Sequence, residues 1–186
     1  ALYGRKVIKT PLMDAKDVRM LPSAVQGAFV DYTLECGALV GASYMTHFKQ
    51  RTSSVFTNIV KHALGEQTIA VTGSDKGDVI AVDTVYKGDK TGFQVYDYYA
   101  ADFINSFYLD AAYKNKLGSG FGYAVSGQYI NIRSVGNAET NLAQAGSATG
   151  GKKISSNLFG LKMDIFYDES ALALAYTKVL SDENRH

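Results

Sequence analysis

Phe159-Gly160-Leu161-Lys162-Met163-Asp164-Ile165-Phe166-Tyr167-Asp168 alternates greasy and polar residues one for one. Side chains on a strand point to opposite faces with period two, so Phe159, Leu161, Met163, Ile165 and Tyr167 share one face. Gly160, Lys162, Asp164 and Asp168 share the other, and Phe166 alone is out of pattern. In a water-soluble sandwich this would be core on one side and solvent on the other. Here the pattern recurs in strands about as long as a bilayer is thick, separated by short turns and long polar loops. That is the layout of a membrane barrel, apolar residues toward lipid and polar residues toward a wet lumen.

Composition is compatible with this reading. The 186 residues include 18 Gly, 13 Tyr, 9 Phe, 2 Pro and no Trp, and the mean hydropathy is near zero. No apolar run approaches the ~18–20 residues of a transmembrane helix. A barrel dilutes its lipid-facing residues with lumen-facing ones and so escapes a hydropathy window. The net charge of +1 and the scattered Lys and Arg residues speak against nucleic-acid binding. The lone Cys36 excludes an intramolecular disulfide and sits in an expected turn at Glu35-Cys36-Gly37, where a tolerated small residue is the simpler reading than a reactive thiol. Ala1-Leu2-Tyr3 opens inside the pattern, as expected of a chain whose signal peptide has been removed or of a segment of a longer protein.

Strands are expected over Ala1–Ile8, Ser23–Tyr32, Ala38–His47, Asp78–Lys87, Thr91–Tyr99, Phe103–Asn115, Phe121–Arg133, Ile154–Asp168 and Ala171–Val179. A phase break at Gln26-Gly27 predicts a bulge. Ile130 and Ile132 break the phase of their strand, which puts Arg133 beyond the strand or re-aims it through a second bulge. Pro11 and Pro22 bracket Lys9–Pro22, an ordered polar loop. Phe48–Gly77 is a long connection in which Ser54–Leu64 reads as a helix, capped by Ser53 or Ser54 and ended by Gly65. Ser134–Gly151 reads as a Gly/Ala/Ser/Asn loop. Short turns fall near residues 35, 88, 117 and 169, and long connections at 9–22, 48–77 and 134–151, the asymmetry of outer-membrane barrels. Aromatics at strand ends (Tyr98, Tyr99, Phe103, Tyr113, Tyr129, Tyr167, Tyr176) suit an interfacial girdle. About nine strands, an odd number without an aromatic C-terminal strand end, point to one domain over residues 1–186 that is a segment of a larger barrel.

Three stretches resemble the OprD family of outer-membrane porins. The first and most specific runs Tyr3-Gly4-Arg5, Lys9-Thr10-Pro11, Asp17-Val18-Arg19-Met20-Leu21-Pro22 and Gln26-Gly27. The second is Tyr98-Tyr99-Ala100-Ala101-Asp102, Phe107-Tyr108-Leu109 and Tyr113-Lys114; the third is Gln128-Tyr129, Gly136, Leu158-Phe159-Gly160 and Leu174-Ala175-Tyr176-Thr177-Lys178. The resemblance implies an all-β transmembrane antiparallel barrel, an up-and-down meander of 18 strands, with an inward-folded third loop that narrows the pore. It implies passive, selective diffusion of small polar solutes, with basic residues of the wall guiding carboxylates. Lys9–Pro22 lies where that loop would be, which carries over Arg19 as a pore residue together with Lys9, Lys16, Asp14 and Asp17. The chain is much shorter than a family member.

The residues themselves add to this. Arg5, Lys9, Lys16 and Arg19 are four cations in a short span, with Asp14 and Asp17 as nearest opposites, and such a pairing across a constriction would orient a carboxylate or zwitterion. The alternative is a solvated polar loop. Asp110, Lys114, Lys162 and Asp164 fall on inward faces, since a charge in lipid at the midplane costs about 2–4 kcal/mol. Enzyme signals are poor. Gly146 to Lys153 nearly spells a phosphate loop, but Lys153 stands where Ser or Thr is required. His47, His62 and His186 lack metal-ligand spacing, and no cofactor or metal is expected. The expected partners are outer-membrane lipid, small solutes and further copies of the chain in a homo-oligomer (trimer). Two other readings stay open: a non-conducting barrel acting as a surface adhesin, favoured by the long Phe48–Gly77 loop, and a soluble barrel carrier with its apolar faces inside.

Overall fold

The computed structural model describes residues 1–13, 22–50, 52–63, 77–118, 120–144 and 153–181. One antiparallel sheet runs in chain order: β1 (Leu2–Lys6), β2 (Ala24–Thr33), β3 (Leu39–Lys49), β5 (Val79–Lys87), β6 (Thr91–Ala100), β7 (Ile104–Leu117), β8 (Phe121–Ser134), β9 (Ser155–Tyr167) and β10 (Ser170–Ser181). The two-residue strand β4 (Thr57–Asn58) pairs with the end of β3, off this path. Each long strand pairs with its neighbours in sequence, so the sheet is an up-and-down meander and, among the described residues, an open one.

Register fixes two faces. On one lie Val79, Ala81, Asp83, Tyr96, Tyr98, Ala100, Ser106 and Tyr108, paired row by row. With Val25, Phe29 and Met45 the apolar members form the core. Residues 8–13 and helix α1 (Ile59–Ala63) cover it, with Ile8, Met13 and Ile59 packed against the cluster and Val60 inside it. The other face is open. Leu161, Leu172, Leu174 and Tyr176 are 57–65% exposed there, as are Val30, Ile80 and Val82 at about half. A soluble protein rarely leaves so contiguous an apolar surface without a partner.

The open face is also zoned along the strands. Near the short turns, Tyr113 and Tyr123 pair at 6.1 Å between ring centroids. Toward the other end, Phe107 lies 6.2 Å from Tyr129 and Tyr129 4.8 Å from Phe159. Five rows, from Leu117–Phe121–Tyr167 to Leu109–Tyr129–Phe159, run from one aromatic band to the other, with Phe107 one row further out. At a rise of ~3.4 Å per residue this is about 27 Å along a strand, or roughly 19–22 Å across once strands tilt by 35–45°. Tyr98 departs from the expected girdle because it faces the core, and Phe103 packs against the core from a turn.

The Gln26-Gly27 phase break is a register shift against β3, where His47 pairs with Gln26 and Met45 with Gly27. Three sequence expectations need correction. β8 keeps an unbroken register through Ser134, so there is no bulge at Ile130 and Arg133 is a strand residue on the open face. Ile130 and Ile132 are apolar on the inward face because the core lies beneath them: Ile130 pairs with Tyr108 and packs on the cluster. The expected Ser54–Leu64 helix starts only at Ile59 and runs Ile59–Ala63 among the described residues, preceded by β4. Its cap is Asn58, whose Oδ1 accepts from the Val60 and Lys61 amides at 3.1 and 3.3 Å, while Ser53 closes a local turn with Val55. Leu64 and Gly65 lie outside the described residues.

The loop after β8 holds a helix, α2 (Ala138–Gln144). It docks on the three-residue link 101–103 through Asp102, whose φ of 55° is left-handed. Asp102 Oδ1 accepts from the Asn137 amide at 3.0 Å, and its carbonyl accepts from the buried Asn141 Nδ2 at 2.8 Å. Gly136 fits here because a Cβ would strike the Asp102 carboxylate. An Ala138 start in a Gly/Ala/Ser tract has no strong signal of its own; the partner that supplies the cap is 35 residues away. Asp102→Ala removes a cap and strains φ, and is expected to raise hydrogen exchange of residues 137–144 by about 1–2 kcal/mol of local opening. Unchanged exchange there would show that the clasp is not what holds α2.

Candidate pore face

The covered face carries the charges. In the row Asp31–Gly41–Asp83–Tyr96, register sets the two aspartates on either side of a glycine. The missing Cβ of Gly41 is what makes room for Asp83, whose carboxylate oxygen would be only 2.5 Å from it. Lys6 reaches Asp31 at 3.5 Å and stands 5.3 Å from the Phe29 ring centroid. Both partners of this ion pair are half exposed, so it contributes at most about 1 kcal/mol and its charges stay available to a solute. Lys6, Lys9, Asp31, Asp83, Tyr96 and Tyr98 line one recess of about 230 Å³ beneath residues 7–10.

Alongside it, Lys9, Thr10 and Pro11 overhang Gln94, Tyr96, Tyr108 and Gln128 across a more open space of about 440 Å³. Tyr96 stacks on Tyr98 at 5.9 Å and meets Tyr108 edge-on at 6.3 Å. Gln94 and Gln128 donate from Nε2 to the Tyr108 hydroxyl at 3.5 and 3.1 Å. The buried Tyr98 hydroxyl closes no hydrogen bond among the described residues. Thr10 itself is tied down, its amide and hydroxyl both donating to the Met13 carbonyl at 3.0 and 3.1 Å. Residues 10–13 thus lie down across the sheet, with Met13 packed against the core.

A second charged tier lies nearer the short turns. Asp110 sits in register between Gln94 and Gln128. Lys162 pairs with Asp164 at 2.9 Å, and Lys114, Lys87 and Lys90 share a recess of about 400 Å³ with Asp164. Asp110, Lys114, Lys162 and Asp164 therefore all lie on the charged face. Lys9 lies there too, at the overhang. Arg5 does not: it is on the open face, its Nε donating to Gln26 Oε1 at 3.3 Å and its guanidinium 4.3 Å over the Phe56 ring. One residue's shift along a strand reverses the face, so Lys6 takes the place expected of Arg5. Asp14, Lys16, Asp17 and Arg19 lie outside the described residues. Sequence reading missed Lys6, Asp31, Asp83 and the Tyr96–Tyr108 platform. A single Asp in the apolar run Val79–Val82–Asp83 was the one signal available. Among the described residues no group of His, Cys, Asp or Glu is arranged to hold a metal.

A face of charges, tyrosines and amides is thus backed by a girdled apolar face, the two-sided pattern of a barrel strand. The solved structure of Pseudomonas aeruginosa OccD3 (OpdP) aligns with 97% of this chain and 40% of its own, at TM-score 0.71 and 21% identity. Pseudomonas aeruginosa OccK2 (OpdF), solved in complex with glucuronate, aligns with 97% and 44% at TM-score 0.70 and 14% identity. Acinetobacter baumannii OccAB3 gives 97% and 42% at 0.72 and 12%. The chain thus spans about two-fifths of the length of these porins and has the fold of a partial transmembrane barrel. No curated protein matches the sequence. The model of the outer membrane porin family OprD matches residues 2–185, and the chain, an outer-membrane β-barrel protein, belongs to that family.

Proposed function

We propose that this chain forms wall and constriction of a channel for the passive diffusion of small polar solutes, carboxylate-bearing or zwitterionic ones above all. The observation that carries the proposal is the recess under residues 7–10, where Lys6 and Lys9 stand with Asp31 and Asp83. A carboxylate finds cations there, an ammonium group finds carboxylates, and opposed charges at a narrow point orient what passes. Family and fold favour a channel over a catalyst. Arg19 and Lys16 belong to this proposal as further cations of the same loop, and outer-membrane lipid and a homotrimer as its surroundings.

The test uses the intact protein, extracted from outer membranes with detergent and placed in a planar bilayer under a salt gradient. Discrete conductance steps are expected, with a reversal potential that reports ion preference. Lys9→Gln should lower the anion-to-cation permeability ratio roughly two- to sixfold, the effect of one charge at ~4–8 Å in water. A folded protein without steps would refute conduction. Steps with an unmoved reversal potential would take Lys9 out of the narrow point.

A further inference from the structure

Polar side chains cross the open face just beyond the Phe107–Tyr129–Phe159 aromatics, at the end of the long connections. One row holds Asp97, Asn131 and Asn157 with Phe107 between the first two; the next holds Tyr99, Asn105, Arg133 and Ser155. These groups are organised. Asn105, only 7% exposed, donates from Nδ2 to Asp97 Oδ1 at 2.7 Å and to the Tyr98 carbonyl at 3.2 Å. That fixes the amide, and its Oδ1 accepts from Arg133 Nε at 3.3 Å. The guanidinium plane is therefore set by a relay ending at Asp97, while its two Nη groups have no partner among the described residues. Beside it, Tyr129 Oη and Asn131 Nδ2 both donate to Asn157 Oδ1 at 2.8 Å, which turns the Asn157 Nδ2 donors away from them. Asn157 is a diagonal neighbour of Arg133 across the β8–β9 ladder.

We propose that Arg133, positioned by Asn105 and Asp97 and flanked by Asn157, binds a phosphate of an outer-leaflet lipid headgroup. The aromatics put these rows at headgroup depth, and the long connections put them on the outer side. An arginine whose Nε is already engaged offers a planar Nη fork, the geometry that matches phosphate oxygens two at a time. The Asp97 carboxylate is only partly buried, but its Oδ1 is taken by Asn105, and the groups that face outward beside it, Arg133 and the Asn157 amide, are donors. A two-fold contact between copies through the same patch would oppose Arg133 to Arg133, whereas a three-fold assembly would bring a different patch of the neighbour to it, the case that the oligomer readout decides.

The test takes the intact protein in detergent and measures binding of lipid A and of the same lipid A after removal of its phosphates, by native mass spectrometry and thermal shift. Parent protein should hold the phosphorylated form and bind the dephosphorylated one about tenfold more weakly, the scale of one charge-assisted pair. Arg133→Gln should bring phosphorylated lipid A down by a similar factor. Arg133→Lys, which keeps charge and fold but lacks the fork, should fall between. Asn105→Ala should weaken binding without touching the lipid, through loss of Arg133 orientation, and Arg133→Lys should add little further in that background. Equal binding of the two lipids, or unchanged affinity in folded Arg133→Gln or Arg133→Lys, overturns the proposal. So does a shift from oligomer to monomer in Arg133→Gln at unchanged lipid affinity, which would give the patch to another copy of the chain.

Discussion

Arginine in place of Leu161 is expected to lower the stability of the membrane-inserted protein by about 1–3 kcal/mol, between the interfacial and midplane costs. Leu161 is 58% exposed and faces away from the core, so by burial alone the substitution would be almost free. Its row on the open face, Phe93–Ala111–Gly127–Leu161–Tyr176, is the second of the five when counted from the Leu109–Tyr129–Phe159 end, one row inside the aromatics and one short of the middle. A guanidinium there meets hydrocarbon, not water. Thr177→Arg adds the same group one strand over, but Thr177 pairs with Gly160 on the charged face, and stability should stay close to that of the parent. Urea titration of each variant folded into lipid vesicles reads both numbers. Equal losses at the two positions would mean that the open face is not the lipid face.

Gly27→Val should be worse still, costing about 3 kcal/mol, the upper end of what overpacking costs. Gly27 lies where β2 and β3 change register, and a Cβ there would overlap the Tyr44 carbonyl oxygen and stand 3.0 Å from Met45 Cα. Both are backbone atoms inside a ladder, and they cannot swing aside as a side chain does. Val25, Phe29 and Met45, buried around the shift, would be displaced with them. Gly127→Ala is the comparison: the nearest atom is the Gly160 carbonyl oxygen at 3.9 Å, ordinary contact, so the change should be within about 0.5 kcal/mol. The folded fraction in detergent, read from gel mobility before and after heating, distinguishes them. A Gly27→Val protein that folds like Gly127→Ala would show that the bulge can be rebuilt elsewhere.

Strand phase was legible where one face is uniformly apolar. β9 and β7 read correctly because a one-residue slip would put Lys162 or Asp110 into lipid. The bulge at Gly27 was legible for the same reason, as a break in an otherwise strict alternation. Ile130 and Ile132 gave the same kind of break and meant something else: the inward face turns apolar where residues 8–13 and α1 cover it, and nothing near Ile130 in sequence announces that cover. Asp31 and Asp83 are 52 positions apart and meet only because Gly41 lies between them in register. Arg5 and Lys6 are neighbours, and in so short a strand the phase that separates them is set by pairing with β2 rather than by pattern. α2 is held by Asp102, a tertiary cap that local propensity cannot contain.

The three links between β5 and β8 span residues 88–90, 101–103 and 118–120, three residues each, whereas β3 reaches β5 only through residues 50–78. Closing the longer span costs about 2 kcal/mol more in chain entropy, since the penalty grows as (3/2)RT ln n. Val79–Ser134 is therefore a four-strand block in which every pairing is local, and it is the natural seed from which the wall zips outward on both sides. The pairings that close late are β3 with β5 and β8 with β9, flanking that block. The aspartate row is then completed only when β3 arrives, so the charged recess is among the last parts of the wall to take shape.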